Sequence, residues 1–160
     1  MTPEELREQR ISELMTSATA FFRAIEALRD RAAARENMTS TAFRALARLV
    51  EFGPKTPKEL AALLATSTAT ITAITDSLVA QGLVMRVPNE ADRRSVLLTP
   101  TAAGTTTLRT LIAHYQQVYV KCLGNMSTEK IGASGEVLNL ITAGFNADLG
   151  PDEALAGEPA

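Results

Sequence analysis

Apolar side chains recur every three or four positions along the first part of the chain: Ile11, Leu14, Met15, Ala18, Phe21, Phe22, Ile25 and Leu28. That spacing puts them on one face of a helix, with polar residues opposite. Thr2-Pro3-Glu4-Glu5 signals the start: a capping threonine, proline at the first helical position, then acids at the positive end of the helix dipole. The predicted helix covers residues 4–35, well beyond the average of about 10–14 residues. A helix of that length with a broad apolar stripe suits packing against a second chain.

The next apolar face, Phe43, Leu46, Leu49 and Val50, follows Asn37-Met38-Thr39 and stops at Gly53-Pro54. Thr56-Pro57-Lys58-Glu59 then repeats the start signal as a capping box. It opens a short helix carrying Leu60, Leu63 and Leu64. Thr66-Ser67 opens another, with Ile71, Ile74 and Leu78 facing inward and Gly82 as its stop. Two short helices joined at Ala65-Thr66 make a helix-turn-helix candidate.

Beyond Gly82 the period changes. Residues 83–87 and 95–98 are short apolar runs around the polar turn Pro88-Asn89-Glu90-Ala91-Asp92, a predicted β-hairpin. Thr99-Pro100-Thr101 opens a helix reaching residue 123, with Leu108, Leu111, Ile112, Tyr115, Val118, Tyr119 and Leu123. Gly124-Asn125 breaks it, and Ser127-Thr128-Glu129 opens the last helix, with Ile131, Val137, Leu138, Ile141 and Phe145. Gly132 and Gly135 each weaken its first turns by about 1 kcal/mol relative to alanine. The small acidic tail, residues 149–160, is expected to be disordered.

Composition narrows the class. The 160 residues are 46% hydrophobic but only 4% aromatic, which favours a core of packed helices over a β-sandwich. The net charge of −2 carries no whole-chain signal for nucleic acid. Residues 39–99, however, hold seven basic against five acidic side chains, and the remainder holds nine against thirteen. One cysteine excludes an internal disulfide framework and fits a reducing compartment. The charged N-terminus lacks the apolar core of an export signal, and no apolar run approaches the roughly 18 residues of a membrane span. The chain therefore reads as cytoplasmic, with no membrane partner. A lone His114 and a lone Cys122 do not make a standard zinc site. Cys122 is expected to be a small buried apolar residue. No nucleophile–base arrangement, phosphate-cradling glycine loop or carboxylate pair is visible. The chain is not expected to be an enzyme or to need a cofactor or metal.

A helix-turn-helix followed by a hairpin is a winged helix. The stretch TPKELAALLATSTATITAITDSLVAQGLVMRVPNEADRRSVLLTPTAAG resembles the multiple-antibiotic-resistance regulator (MarR) family across both turn and wing. The carriers are Glu59-Leu60-Ala61, Thr70 to Asp76, Leu78, Gly82-Leu83-Val84, Arg86, Asp92-Arg93-Arg94-Ser95-Val96 and Gly104. The resemblance implies a mainly α fold in a single domain over residues 1–148. Its winged helix-turn-helix lobe, residues 39–99, carries a small β-hairpin wing. Long terminal helices, 4–35 and 101–148, form a dimerisation region. It implies a homodimeric regulator, typically a repressor, that binds double-stranded DNA at a pseudo-palindrome and is released by a small-molecule effector. Half-sites would lie about 34–36 Å apart.

By the same resemblance, the recognition helix offers Ser67, Thr68, Ala69, Thr70, Thr72, Ala73 and Asp76 to DNA. The wing offers Arg86, Asp92, Arg93 and Arg94, with Arg94 in the minor groove braced by a salt bridge from Asp92; Arg86 reads equally as a residue that pins the wing through a local ion pair. Arg44, Lys55 and Lys58 would meet the DNA backbone. An effector pocket would draw on Phe21, Phe22, Arg48, His114 and Tyr115. Two departures stand out. Pro100-Thr101 replaces the usual Leu-Thr, which leaves the Thr cap intact. The recognition helix has Thr68, Ala73 and Ser77 where the family commonly carries Arg or Lys. Without them the bidentate arginine–guanine contact is lost, and reading falls to hydroxyls, methyl contacts and shape. The alternative is a winged-helix module that has lost sequence-specific DNA binding and uses its Thr/Ala face against protein.

Overall fold

In a computed structural model that describes residues 1–149, the chain forms six helices and one two-stranded antiparallel hairpin. The described residues divide into two units, Met1–Ser40 and the residues from Thr41 onward. The predicted acidic tail lies outside the described residues, except for Leu149.

The first unit is α1, Pro3–Arg35. Its capping box is formed as the sequence implies: Thr2 Oγ1 accepts the Glu5 amide at 3.2 Å, and the Glu5 carboxylate accepts the Thr2 amide at 2.6 Å. The helix leaves through Asn37, whose φ of +53° suits asparagine better than most residues. The Met38 amide then closes the turn onto the Ala33 carbonyl at 2.9 Å. Ala32 and Ala33 are the buried residues of this helix, while Leu14, Met15, Phe21 and Phe22 are exposed in the single chain.

In the second unit, α2 (Ser40–Phe52), α3 (Pro57–Leu63) and α4 (Thr68–Ala80) surround a core of Phe43, Leu46, Leu49, Leu60, Leu64, Ile71 and Leu78. Thr56 and Glu59 form the second capping box, and Ser67 caps α4. The axes of α3 and α4 are bent by 108°, within the range of a helix-turn-helix. Ala65 makes the corner at φ +49°, and the Thr66 amide bonds back to the Ala61 carbonyl at 3.0 Å. The inward face of α4 differs in one position from its apolar pattern. Ile74 is only half-buried, whereas Thr75 is 0% exposed. Thr75 tolerates this because its hydroxyl donates to the Ile71 carbonyl at 2.9 Å, leaving its methyl to the core.

α4 ends at Gly82, where φ is +70°. The Leu83 amide returns to Leu78 O and the Gly82 amide to Val79 O, both at 2.9 Å, which is a Schellman closure. Strand β1 (Val84–Pro88) then pairs with β2 (Val96–Pro100), with Arg86 opposite Leu98. Both strands end in proline, where a missing ladder donor is tolerated. Lys55 adds a bridge to Leu98 through two backbone bonds of 3.2 and 2.8 Å. That bridge was hidden in the sequence, because Gly53-Pro54-Lys55 reads as a loop.

Helix α5 (Ala102–Leu123) is anchored at its first turn. Thr101 Oγ1 accepts the Gly104 amide at 3.0 Å and donates to the Gly82 carbonyl at 2.7 Å. Gly104 sits so close to β1 that a Cβ there would collide with the Leu83 carbonyl. Leu108 and Leu111 are buried, but Val120 is 71% exposed. Helix α6 (Thr128–Leu149) has no buried residue among those described, and Leu140 is 75% exposed. Cys122 is exposed, not buried as expected, because no described residue covers its side of α5. Among the described residues, no single helix is long and apolar enough to cross a membrane.

Candidate nucleic-acid interface

The outward surface of α4 consists of Thr68, Ala69, Thr70, Thr72, Ala73, Asp76 and Ser77, all exposed. The Ser67 cap accepts the Thr70 amide at 3.1 Å, and the two hydroxyls bond each other at 2.8 Å. Thr72 Oγ1 donates to the Thr68 carbonyl at 2.9 Å. Asp76 is the one charged residue of the helix, and Arg86 on β1 reaches across to it, Nη2 to Oδ1 at 2.5 Å. The two residues expected to face DNA from helix and wing therefore face each other.

The wing tip is tied down by short-range bonds. Asn89 donates to the Ser95 hydroxyl at 2.8 Å and accepts the Ala91 amide at 3.1 Å. The Asp92 carbonyl accepts the Ser95 amide at 2.9 Å and the Ser95 hydroxyl at 3.0 Å. The Asp92 carboxylate accepts the backbone amide of Arg94 at 3.0 Å. The expected salt bridge from Asp92 to the Arg94 guanidinium is not formed among the described residues; Asp92 holds the Arg94 main chain instead. A carboxylate two residues before an amide favours such a local turn. The side chains of Arg93 and Arg94 are exposed and form no salt bridge among the described residues.

The remaining cations divide. Arg44 on α2 and Lys58 on α3 are exposed. Lys55 is half-buried, and its ammonium donates to the Phe52 carbonyl at 2.8 Å, at the C-terminal end of α2. A cation there complements the helix dipole. Glu59, next to Lys58, has its carboxyl held below the usual glutamate range, first by the Thr56 side chain and then by the Thr56 amide.

The suggested pocket residues can each be located. Phe21 and Phe22, in the first unit, have ring centroids 6.1 Å apart. In the second unit, Tyr115 packs its ring 6.0 Å from that of Phe43, a partner the sequence reading did not single out. Arg48 pairs with Glu51 at 2.8 Å and lies 5.6 Å over the Phe52 ring, so its charge has structural partners. His114 is half-buried on α5. No cluster of three or more His, Cys, Asp or Glu side chains that could hold a metal ion occurs among the described residues.

Comparison with known proteins adds a family. Residues 38–96 match the MarR family profile. The transcriptional repressor NicR of Pseudomonas putida is 29% identical over 126 residues, spanning 79% of this chain and 77% of that protein. Among solved structures, a MarR family protein from Bacillus stearothermophilus superposes with a TM-score of 0.78 at 22% identity, covering 86% of this chain and 96% of that one. MarR of Escherichia coli superposes with a TM-score of 0.70 at 22% identity, covering 80% and 95%. At these identities the structural likeness carries the fold: a mainly helical chain with a winged helix.

Proposed function

We propose, from the premise that this chain is a MarR-family transcriptional regulator, that it acts as a homodimeric repressor of a pseudo-palindromic operator. In this reading α4 enters the major groove, and the β1–β2 wing carries Arg94 into the adjacent minor groove. Arg93, Arg44 and Lys58 meet phosphates. The observation that carries the reading is the exposed, capped α4 followed by a wing whose tip is braced and whose two arginines are unpaired. Such a tip presents charge without first having to be ordered, which favours binding.

Dimerisation is supported by the apolar surface left open on the long helices. Leu14, Met15 and Phe22 on α1, Val120 on α5, and Leu138, Leu140 and Phe145 on α6 are all exposed in the single chain. Large apolar side chains exposed in such number on each of these helices mark interaction surfaces. Repression follows the repressor named among the relatives. Release by a small ligand belongs to the same reading and rests on the family resemblance. Melting curves with small phenolic acids test it: a rise in Tm with loss of DNA binding is expected.

Footprinting on the DNA flanking this protein's own gene, with light scattering on the free protein, tests the core of the proposal. A protected pseudo-palindrome and a dimer mass are expected. A monomer at micromolar concentration would contradict the dimer. A dimer that protects no DNA would favour the rival reading, in which the uncharged α4 face binds protein.

A further inference from the structure

The chemistry of the α4 surface goes further than the regulator reading, on which this inference rests. α4 has no Arg or Lys, so it cannot form the bidentate pair with guanine O6 and N7. Its one charge, Asp76, is engaged by Arg86. Some of its hydroxyl protons are committed inside the helix, that of Thr72 at the centre of the exposed face among them. Thr72 donates to the Thr68 carbonyl, Thr75 donates to the Ile71 carbonyl, and Ser67 and Thr70 bond each other. A threonine whose hydroxyl turns back onto its own helix leaves its methyl as the group facing outward. Ala69 and Ala73 add methyls one turn apart, four residues from each other, with Thr72 three residues after Ala69 and directly before Ala73. The result is an apolar, methyl-studded surface in the place where a charged one is usual.

We propose that α4 reads its half-site through the C5-methyl groups of thymine, with Ala69, Thr72 and Ala73 as the specificity-determining contacts. Thymine is the base that offers an apolar group in the major groove. Guanine beneath Ala69, Thr72 and Ala73 is rejected, because its two acceptors lose water and these three side chains offer them no donor. The wing does not contribute to this selectivity, since the thymine methyl lies in the other groove.

The test starts from duplexes selected by the full chain from a randomised library. Affinity is then measured for the winning duplex and for versions in which deoxyuridine replaces thymine one position at a time. Each contacted methyl removed should weaken binding by about fourfold, at two or more positions in each half-site. Thr72→Ser, which keeps the hydroxyl and removes the methyl, should abolish the penalty at one of those positions. Circular dichroism checks that its helix is intact. A winning duplex whose affinity ignores uracil at every position overturns the thymine proposal and leaves the regulator reading standing. So does a winner with guanine under the centre of the helix. Failure to enrich any duplex overturns both.

Discussion

Arg86 on the first wing strand donates to Asp76 on α4 at 2.5 Å, joining the second helix of the helix-turn-helix to the base of the wing. Both partners are substantially exposed, at 38% and 58% of their side chains. As a contribution to stability such a pair is worth about 0–1 kcal/mol. Its larger effect is on the charge that the helix presents. With Arg86 in place, the helix does not present Asp76 as a bare anion.

This leads to a prediction in which the two single substitutions act in opposite directions. Arg86→Ala should weaken DNA binding by releasing the Asp76 charge. Asp76→Ala should strengthen it and steepen its salt dependence. The double substitution should return close to the parent affinity. If Arg86 instead touches phosphate itself, the double variant will be as weak as Arg86→Ala. Anisotropy titrations of the four proteins on one duplex distinguish the outcomes.

The junction of wing and α5 carries a stability prediction. Thr101→Ala removes both the cap on Gly104 and the bond to the Gly82 carbonyl, and should cost about 1–2 kcal/mol. Thr101→Ser should retain most of the stability. Gly104→Ala drives a methyl into the Leu83 carbonyl and should cost about 1–3 kcal/mol. Urea unfolding followed by circular dichroism reads each value.

The capping box at α3 makes stability depend on pH. The Glu59 carboxyl is held below its usual range by Thr56, so in the folded state it stays ionised to lower pH than in the unfolded chain. Its contribution is fully present above the unfolded value and is lost as pH falls through the folded one. Glu59→Gln, which can still accept from Thr56, should flatten the acid side of the stability profile. Melting temperatures measured from neutral pH down to acid pH would show it. A profile parallel to the parent's would contradict it.

Most of the fold was legible because its boundaries are written in short-range chemistry. Thr2-Pro3 with Glu5, Thr56-Pro57 with Glu59, Ser67, Thr101 and Gly82 each mark an end through contacts within a few residues. Such contacts depend little on the rest of the molecule. The discrepancies involve distance or competition between groups. Thr75 is buried where the apolar pattern favoured Ile74, because the helix satisfies the threonine hydroxyl internally. Lys55 joins the wing through Leu98, more than forty residues away, and its ammonium is drawn to the end of α2. Arg86 read equally as a DNA contact or as half of a local ion pair, and no local pattern marks Asp76 as its partner across the turn at Gly82. Cys122 was expected in the core because a lone cysteine behaves as a small apolar residue, but it is exposed. The wing itself was legible as a motif, Asp92-Arg93-Arg94-Ser95-Val96. The bracing of Arg94 through its amide emerges only from the turn geometry.

The salt dependence of binding tests the central claim most directly. Anisotropy is measured on a duplex from the flanking DNA at several salt concentrations, for the parent chain and for Arg94→Ala. The account predicts a log–log slope of about −0.9 for each phosphate neutralised, several such units per dimer, and a preference over unrelated DNA. Arg94→Ala should bind at least about tenfold more weakly, as expected when a charge-assisted contact is lost from each half of a dimer. Weak binding that ignores sequence, barely responds to salt and is unchanged by Arg94→Ala would contradict the account.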